Sequence, residues 1–127
     1  MNLKEMMMNY LREEGFCPKE EDFGLAFKCE GKTFIFFYDD DDDQYFRLMM
    51  PGIFDVTEEN CADVLVAMNK VNSDVKVVKA YTPVPDSVWL GFEVLVDSTP
   101  ILDDFVPRGI GMLRSAQRSF YEAIQGS

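Results

Sequence analysis

Phe23-Gly24-Leu25-Ala26-Phe27-Lys28-Cys29-Glu30-Gly31-Lys32-Thr33-Phe34-Ile35-Phe36-Phe37-Tyr38 is the stretch that decides the fold. Phe23, Leu25, Phe27 and Cys29 fall at every second position, which is the period of a strand with one face toward a core. Glu30-Gly31-Lys32 reads as a short turn. Thr33 to Tyr38 then reads as a second strand, with Phe34 and Phe36 on one face and Ile35 and Phe37 on the other. A connection this short joins antiparallel neighbours, because parallel strands need a crossover of a dozen or more residues.

Downstream, Asp39 to Asp43 reads as a hairpin tip, and Gln44 to Met50 as a third strand closed by Pro51-Gly52. A helix follows, with Thr57 as N-cap and Glu58 and Glu59 in its first turn, where the backbone dipole favours carboxylates. Cys61, Val64, Leu65, Met68, Val71 and Asn72 line its main face. Asn72 reads as a C-cap, given the tolerance of Asn for left-handed backbone. A fourth strand is expected from about Val75 to Thr82, a turn at Pro83-Val84-Pro85-Asp86, and a fifth strand from Val88 to Val96. The last helix spans about Leu102 to Gln125 on the stripe Phe105, Val106, Ile110, Leu113, Ala116, Phe120 and Ile124. Pro107 is tolerable near the helix start, whereas at mid-helix it costs about 3 kcal/mol. Gly109 and Gly111 weaken the same stretch.

Upstream, Leu3, Met6, Met7, Tyr10 and Leu11 recur at helical spacing over residues 2–14, and Gly15 follows as a stop. The order is thus α-β-β-β-α-β-β-α. It predicts an α+β chain, a five-stranded antiparallel sheet with three helices against it. Residues 1–127 are expected to form one domain, with no repeat or linker.

The charge balance narrows the partners. Twelve Lys and Arg stand against 23 Asp and Glu, a net charge of −11. A surface of that sign repels phosphate backbones and anionic membranes, and it favours the basic segments of protein partners. No run is apolar enough for a secretory signal or a membrane span, so a cytoplasmic location is expected. Cys17, Cys29 and Cys61 are odd in number and widely spaced, which predicts buried, reduced thiols.

Candidate chemistry is thin. The chain has no His, which removes Ser-His-Asp and Cys-His arrangements and the usual neutral-pH base. Carboxylates or a Lys at a pocket would have to carry any catalysis, and none is singled out. The run Asp39–Asp43 places carboxylates at positions 1, 3 and 5 of a calcium loop. Gln44 and Met50, however, stand where that loop needs Gly and Glu. Gly109-x-Gly111 lacks the Lys and the longer glycine pattern of a phosphate loop. No metal and no cofactor is expected.

Surplus apolar residues are the better lead. Met8 points away from the stripe of the first helix. Ala62, Val66 and Asn69 form a second strip on the second helix, opposite its core face. On the fifth strand, Leu90, Phe92, Val94 and Val96 share one face, while Trp89 and Leu95 lie on the other and need a cover of their own. Met8, Ala62, Val66, Trp89 and Leu95 are the candidate partner or dimer surface.

Three stretches carry a resemblance to a known group: Leu11-Arg12-Glu13-Glu14-Gly15-Phe16, Met68-Asn69-Lys70-Val71-Asn72, and Val77-Val78-Lys79-Ala80-Tyr81 followed by an apolar strand containing Trp89. With the element order and the acidity, the chain resembles the YbjN-like family, which shares its fold with the type III secretion chaperones. The resemblance implies an α+β sandwich, homodimers and no enzymatic activity. It also implies either the holding of a polypeptide segment, as chaperones do, or a role as a regulator acting on a folded partner.

Overall fold

The computed structural model describes residues 2–126. Its elements run α1 (Leu3–Glu13), β1 (Lys19–Glu21), β2 (Gly24–Cys29), β3 (Lys32–Phe37), β4 (Tyr45–Asp55), α2 (Cys61–Asp74), β5 (Val78–Val84), β6 (Ser87–Leu95) and α3 (Leu102–Gln125). All strand pairs are antiparallel, and the sheet order is β1-β2-β3-β4-β6-β5. The class is therefore α+β, as expected, but the sheet has six strands rather than five.

The extra strand, β1, is Lys-Glu-Glu. Three charged residues carry no alternation, so periodicity could not reveal it; pairing with β2 creates it. Two boundaries also move. β4 does not close at Pro51-Gly52 but runs on to Asp55 through a register shift between Met50 and Phe54, with Gly52 at φ 55°. A bulge absorbs the missing N–H of Pro51 and the odd geometry of Gly52. β5 starts at Val78 and takes in Pro83, which an edge strand tolerates.

Side chains on one face of the sheet form the core. Leu25, Phe36, Leu48 and Phe92 make one continuous cross-strand row. Phe27 with Phe34, Phe46 with Val94, and Met50 with Leu90 extend it on either side. All three helices lay their apolar stripes on this face: Leu3, Met7, Tyr10 and Leu11 from α1, Val64, Ala67, Met68 and Val71 from α2, and Leu102, Val106, Ile110, Leu113, Ala116 and Phe120 from α3. Among the described residues the molecule is two layers thick, and the other sheet face carries no helix.

Local chemistry places the helices. Asn2 Oδ1 accepts from the Glu5 N–H at 2.8 Å, and Asp43 Oδ1, from the β3–β4 loop, accepts from the Leu3 N–H at 2.8 Å. Two of the free N–H groups at the start of α1 are thereby satisfied. At the other end Gly15, at φ 81°, donates to Arg12 O and Phe16 donates to Leu11 O, the Schellman pattern. Phe16 then packs on Phe27, with ring centroids 5.5 Å apart.

For α2 the expected Thr57 start is displaced. Thr57 Oγ1 accepts from the Asn60 N–H and Asn60 Oδ1 accepts from the Thr57 N–H, a reciprocal box that shapes the turn just before the helix. The helix itself begins at Cys61. Leu65, placed by the sequence on the core face, is 64% exposed, because Ala67 turns inward and rotates the stripe.

α3 is continuous through Pro107, in its second turn, with no irregular start. Burial of Leu102 and Val106 beside the proline holds that turn. At Gly109 α3 packs tightly on the sheet: a Cβ there would lie 2.9 Å from a Phe92 ring carbon. Gly111 faces open space. Gly111→Ala is expected to raise unfolding stability by about 0.5–1 kcal/mol through helix propensity. Gly109→Ala is expected to lower it by about 1–3 kcal/mol by forcing Phe92 aside. Chemical denaturation of the two variants checks the pair; equal shifts would contradict the packing.

Candidate functional site

The helix-free face takes every residue that alternates with the core rows. One row reads Lys19, Ala26, Ile35, Met49, Gly91 and Lys79 across the sheet. The next reads Glu21, Gly24, Phe37, Arg47 and Glu93. Tyr81 faces Trp89 on one side of these rows, and Tyr45 faces Leu95 on the other.

At the centre is a small second cluster. Met49 is 1% exposed although it lies outside the main core. It fits because Gly91 opposite has no side chain: a Cβ there would meet the Met49 sulfur at 2.9 Å. Phe37 and Trp89 reach toward each other over this strand, with centroids 6.2 Å apart, and Phe23 continues the aromatic line to Phe37 at 5.6 Å. Tyr81 closes the other side, its hydroxyl 4.0 Å from the Met49 sulfur. Two cations lie over these rings: the Arg47 guanidinium 4.7 Å from the Phe37 centroid, and the Lys79 ammonium 4.6 Å from that of Tyr81.

One polar network anchors the strip. Tyr45 Oη donates to Glu93 Oε1 at 2.7 Å, and Lys79 Nζ pairs with Glu93 Oε2 at 3.0 Å. Burial alone would raise the Glu93 pKa. The bonds from Tyr45 and Lys79, with the attraction of Lys79 and Arg47, outweigh it and hold the group below its ordinary 4.5. Burial first, and then the bond to Glu93, push the Tyr45 hydroxyl up to about 12. Arg47 Nε is shielded from water and has no hydrogen-bond partner. A hollow of about 300 Å³ opens beside it, lined by Phe37, Tyr38, the run Asp39-Asp40-Asp41, Tyr45 and Arg47.

The five residues singled out by sequence fall on three separate surfaces. Trp89 and Leu95 share the helix-free face; Trp89 is half-buried against Phe37, whereas Leu95 is 83% exposed at the end of β6. Ala62 and Val66 lie on the outer side of α2 beside exposed Leu65. Met8 is half-buried at the rim of a hollow of about 480 Å³ between α1 and β1, beside Lys4, Arg12 and Glu20. Sequence reasoning missed Phe37, Met49 and Tyr81 as members of the strip. The signal was present in Thr33–Tyr38, which is apolar on both faces and so needs cover on both.

Other expectations change. Cys17 and Cys61 are exposed and Cys29 is half-buried, so the thiols are not core residues; all three are free. Cys17 stands in the turn after α1 at φ 49°, and Cys61 opens α2. Asn72 does not cap α2, which runs to Asp74 with Val75 as its C-cap; its side chain instead bonds the main chain of Ala80. The Asp39–Asp43 loop is more than a solvated tip. Asp39 and Asp42 bond the N–H groups of Asp41 and Gln44, and Asp43 caps α1. Among the described residues, no three His, Cys, Asp or Glu side chains are placed to hold a metal ion. No helix there is long and apolar enough to cross a membrane.

A six-stranded antiparallel sheet with three helices on one face defines the class. Within it, the fold is the YbjN-like one. Over 94% of this chain and 89% of the other, it superposes with TM-score 0.67 on YbjN of E. coli, a proposed transcription regulator, at 12% identity. It also superposes with TM-score 0.65 on an uncharacterised protein of Methanothermobacter thermautotrophicus, over 98% and 97% of the two chains, at 16% identity. At such identities the likeness concerns the fold. Neither protein is described as an enzyme. The chain matches no family model and no curated protein sequence.

The network predicts an acid response. Because the folded Glu93 pKa is depressed, its contribution to stability is present above about 4.5 and is lost as pH falls through the lower folded value. Tyr45→Phe removes one of the bonds that depress it. Carboxyl NMR is expected to show Glu93 titrating at higher pH in that variant, with a shallower loss of stability on the acid side.

Proposed function

We propose that this chain is a non-enzymatic protein-binding module whose working surface is the helix-free face of the sheet. One observation carries the reading. Phe23, Phe37 and Trp89 form an aromatic line, with Tyr81 beside Trp89 in the register, on a face that no element among the described residues covers. Aromatic rings held rigidly on a sheet make contact area at little entropic cost, and such residues dominate binding hot spots. The absence of His from the chain removes the usual neutral-pH base and so favours binding over catalysis on this face.

In this reading residues 1–127 act as one domain in the cytoplasm, and the chain forms a homodimer that holds a protein partner, in the manner that the resemblance to secretion chaperones implies. The exposed strip of Ala62, Leu65 and Val66 on α2 is a second apolar surface available to such assembly. A net charge of −11 argues against nucleic acid as the partner. The likeness to YbjN favours a second version, regulation of a folded partner by capture on the same face. Suppression of aggregation across several unfolded clients supports the holding role; selective binding of one folded protein supports the regulatory one.

Trp89→Ala is expected to lower the dimer population while leaving the monomer folded, because Trp89 is half-buried on Phe37 and takes no part in the main core. Light scattering beside circular dichroism checks this. An unchanged dimer with native circular dichroism would remove Trp89 from the interface.

A further inference from the structure

An open sheet has two edges, and each offers a row of unpaired main-chain groups to any other strand. Here one edge is β1, three residues long and wholly charged, Lys19–Glu21. Brevity and charge are standard protection. The other edge is β5, seven residues long and carrying one charge, Lys79. Its protection is of a different kind.

Ala80 lies opposite Leu90 of β6 in the register. Its N–H donates to Asn72 Oδ1 at 2.7 Å, and its C=O accepts from Asn72 Nδ2 at 3.2 Å. Both main-chain groups of Ala80 are therefore turned away from β6 and end on a single side chain. A carboxamide holds a donor and an acceptor side by side, as a peptide group does. One orientation of the amide satisfies both bonds; the reverse would set donor against donor. Asn72 thus takes the place that a peptide unit of a neighbouring strand would take, and α2 delivers it there. Three residues on, Pro83 has no N–H to offer.

We propose that Asn72 guards the β5 edge, and that without it this edge is the site at which a second copy of the chain adds, β5 against β5 in antiparallel register. The geometry of the segment names that occupant. Antiparallel pairing about a two-fold axis at Ala80 sets Lys79 opposite the partner's Tyr81, and so opposes the strand's one cation to an aromatic ring and not to another Lys. The same two side chains already meet within one chain, ammonium to ring centroid 4.6 Å. Two backbone rows that each lack a neighbour satisfy one another.

The test is Asn72→Ala, followed by sedimentation velocity across a hundredfold concentration range and by hydrogen exchange at the Ala80 amide. The expected result is a species heavier than the wild-type particle that grows with concentration: double the mass if that particle is a monomer with one β5 edge, and a longer series if it is a dimer with two. The Ala80 amide should exchange at least tenfold faster at low concentration and regain protection at high concentration. Adding Ala80→Pro removes the outward N–H without touching the β6 ladder and should abolish the extra mass. Wild-type mass throughout, with no faster exchange at Ala80, would overturn the proposal. So would an extra species that survives Ala80→Pro. If Asn72→Ala loses native circular dichroism, Asn72→Leu keeps the bulk of the side chain while removing both bonds to Ala80, and the same two readouts decide.

Discussion

The cross-strand row Leu25, Phe36, Leu48 and Phe92 holds the rest of the molecule in place. Side chains on a strand alternate with a period of two, so the register that points this row at the helices also points Gly24, Phe37, Arg47 and Glu93 away from them. A slip of one residue would press a guanidinium and a carboxylate beneath α3. Burying those charges would cost far more than the row could return. The register is for that reason single-valued. The composition of the second face is a consequence of the first.

Glycine does matched work in both layers. Gly109 lets α3 settle on the Phe92 ring, and Gly91 lets the Met49 side chain lie down under the aromatic strip. In each case the missing Cβ admits a larger neighbour, so a small residue in one element and a large one in the next are a single packing decision. The strip stays ordered without a helix above it because Met49, Phe37, Trp89 and Tyr81 cover one another, and because the Tyr45–Glu93–Lys79 network ties its polar border.

The unused valences of the fold lie where another polypeptide can reach them. The helix-free face offers apolar area and the β5 edge offers main-chain bonds, and these are the two currencies in which proteins recognise extended or flat partners. One is left open and the other is closed from within by a single side chain. That contrast fits the binding role proposed for the face and the guard proposed for the edge.

The sequence by itself determined the class of fold. The alternation from Leu25 to Phe37, most of the three helix stripes, the Gly15 stop and the last helix from 102 to 125 were legible, because they depend on local periods of 2 and 3.6 and on local capping chemistry; Phe23, expected beside Leu25, lies outside β2 and packs on Phe37 instead. It also showed that Trp89 and Leu95 sit apart from Leu90 and Phe92. Only the tertiary structure decided the rest. β1 exists through its partner, since Lys-Glu-Glu has no period of its own. β4 passes Pro51-Gly52 because a bulge beside β6 absorbs them. The exposure of Cys17, Cys61 and Leu65, the division of the five candidate residues among three surfaces, and the reach of Asn72 to Ala80 depend on which side of one element meets which side of another. A local pattern says that a residue has two faces to choose from; the residue packed against it, far away in the chain, makes the choice.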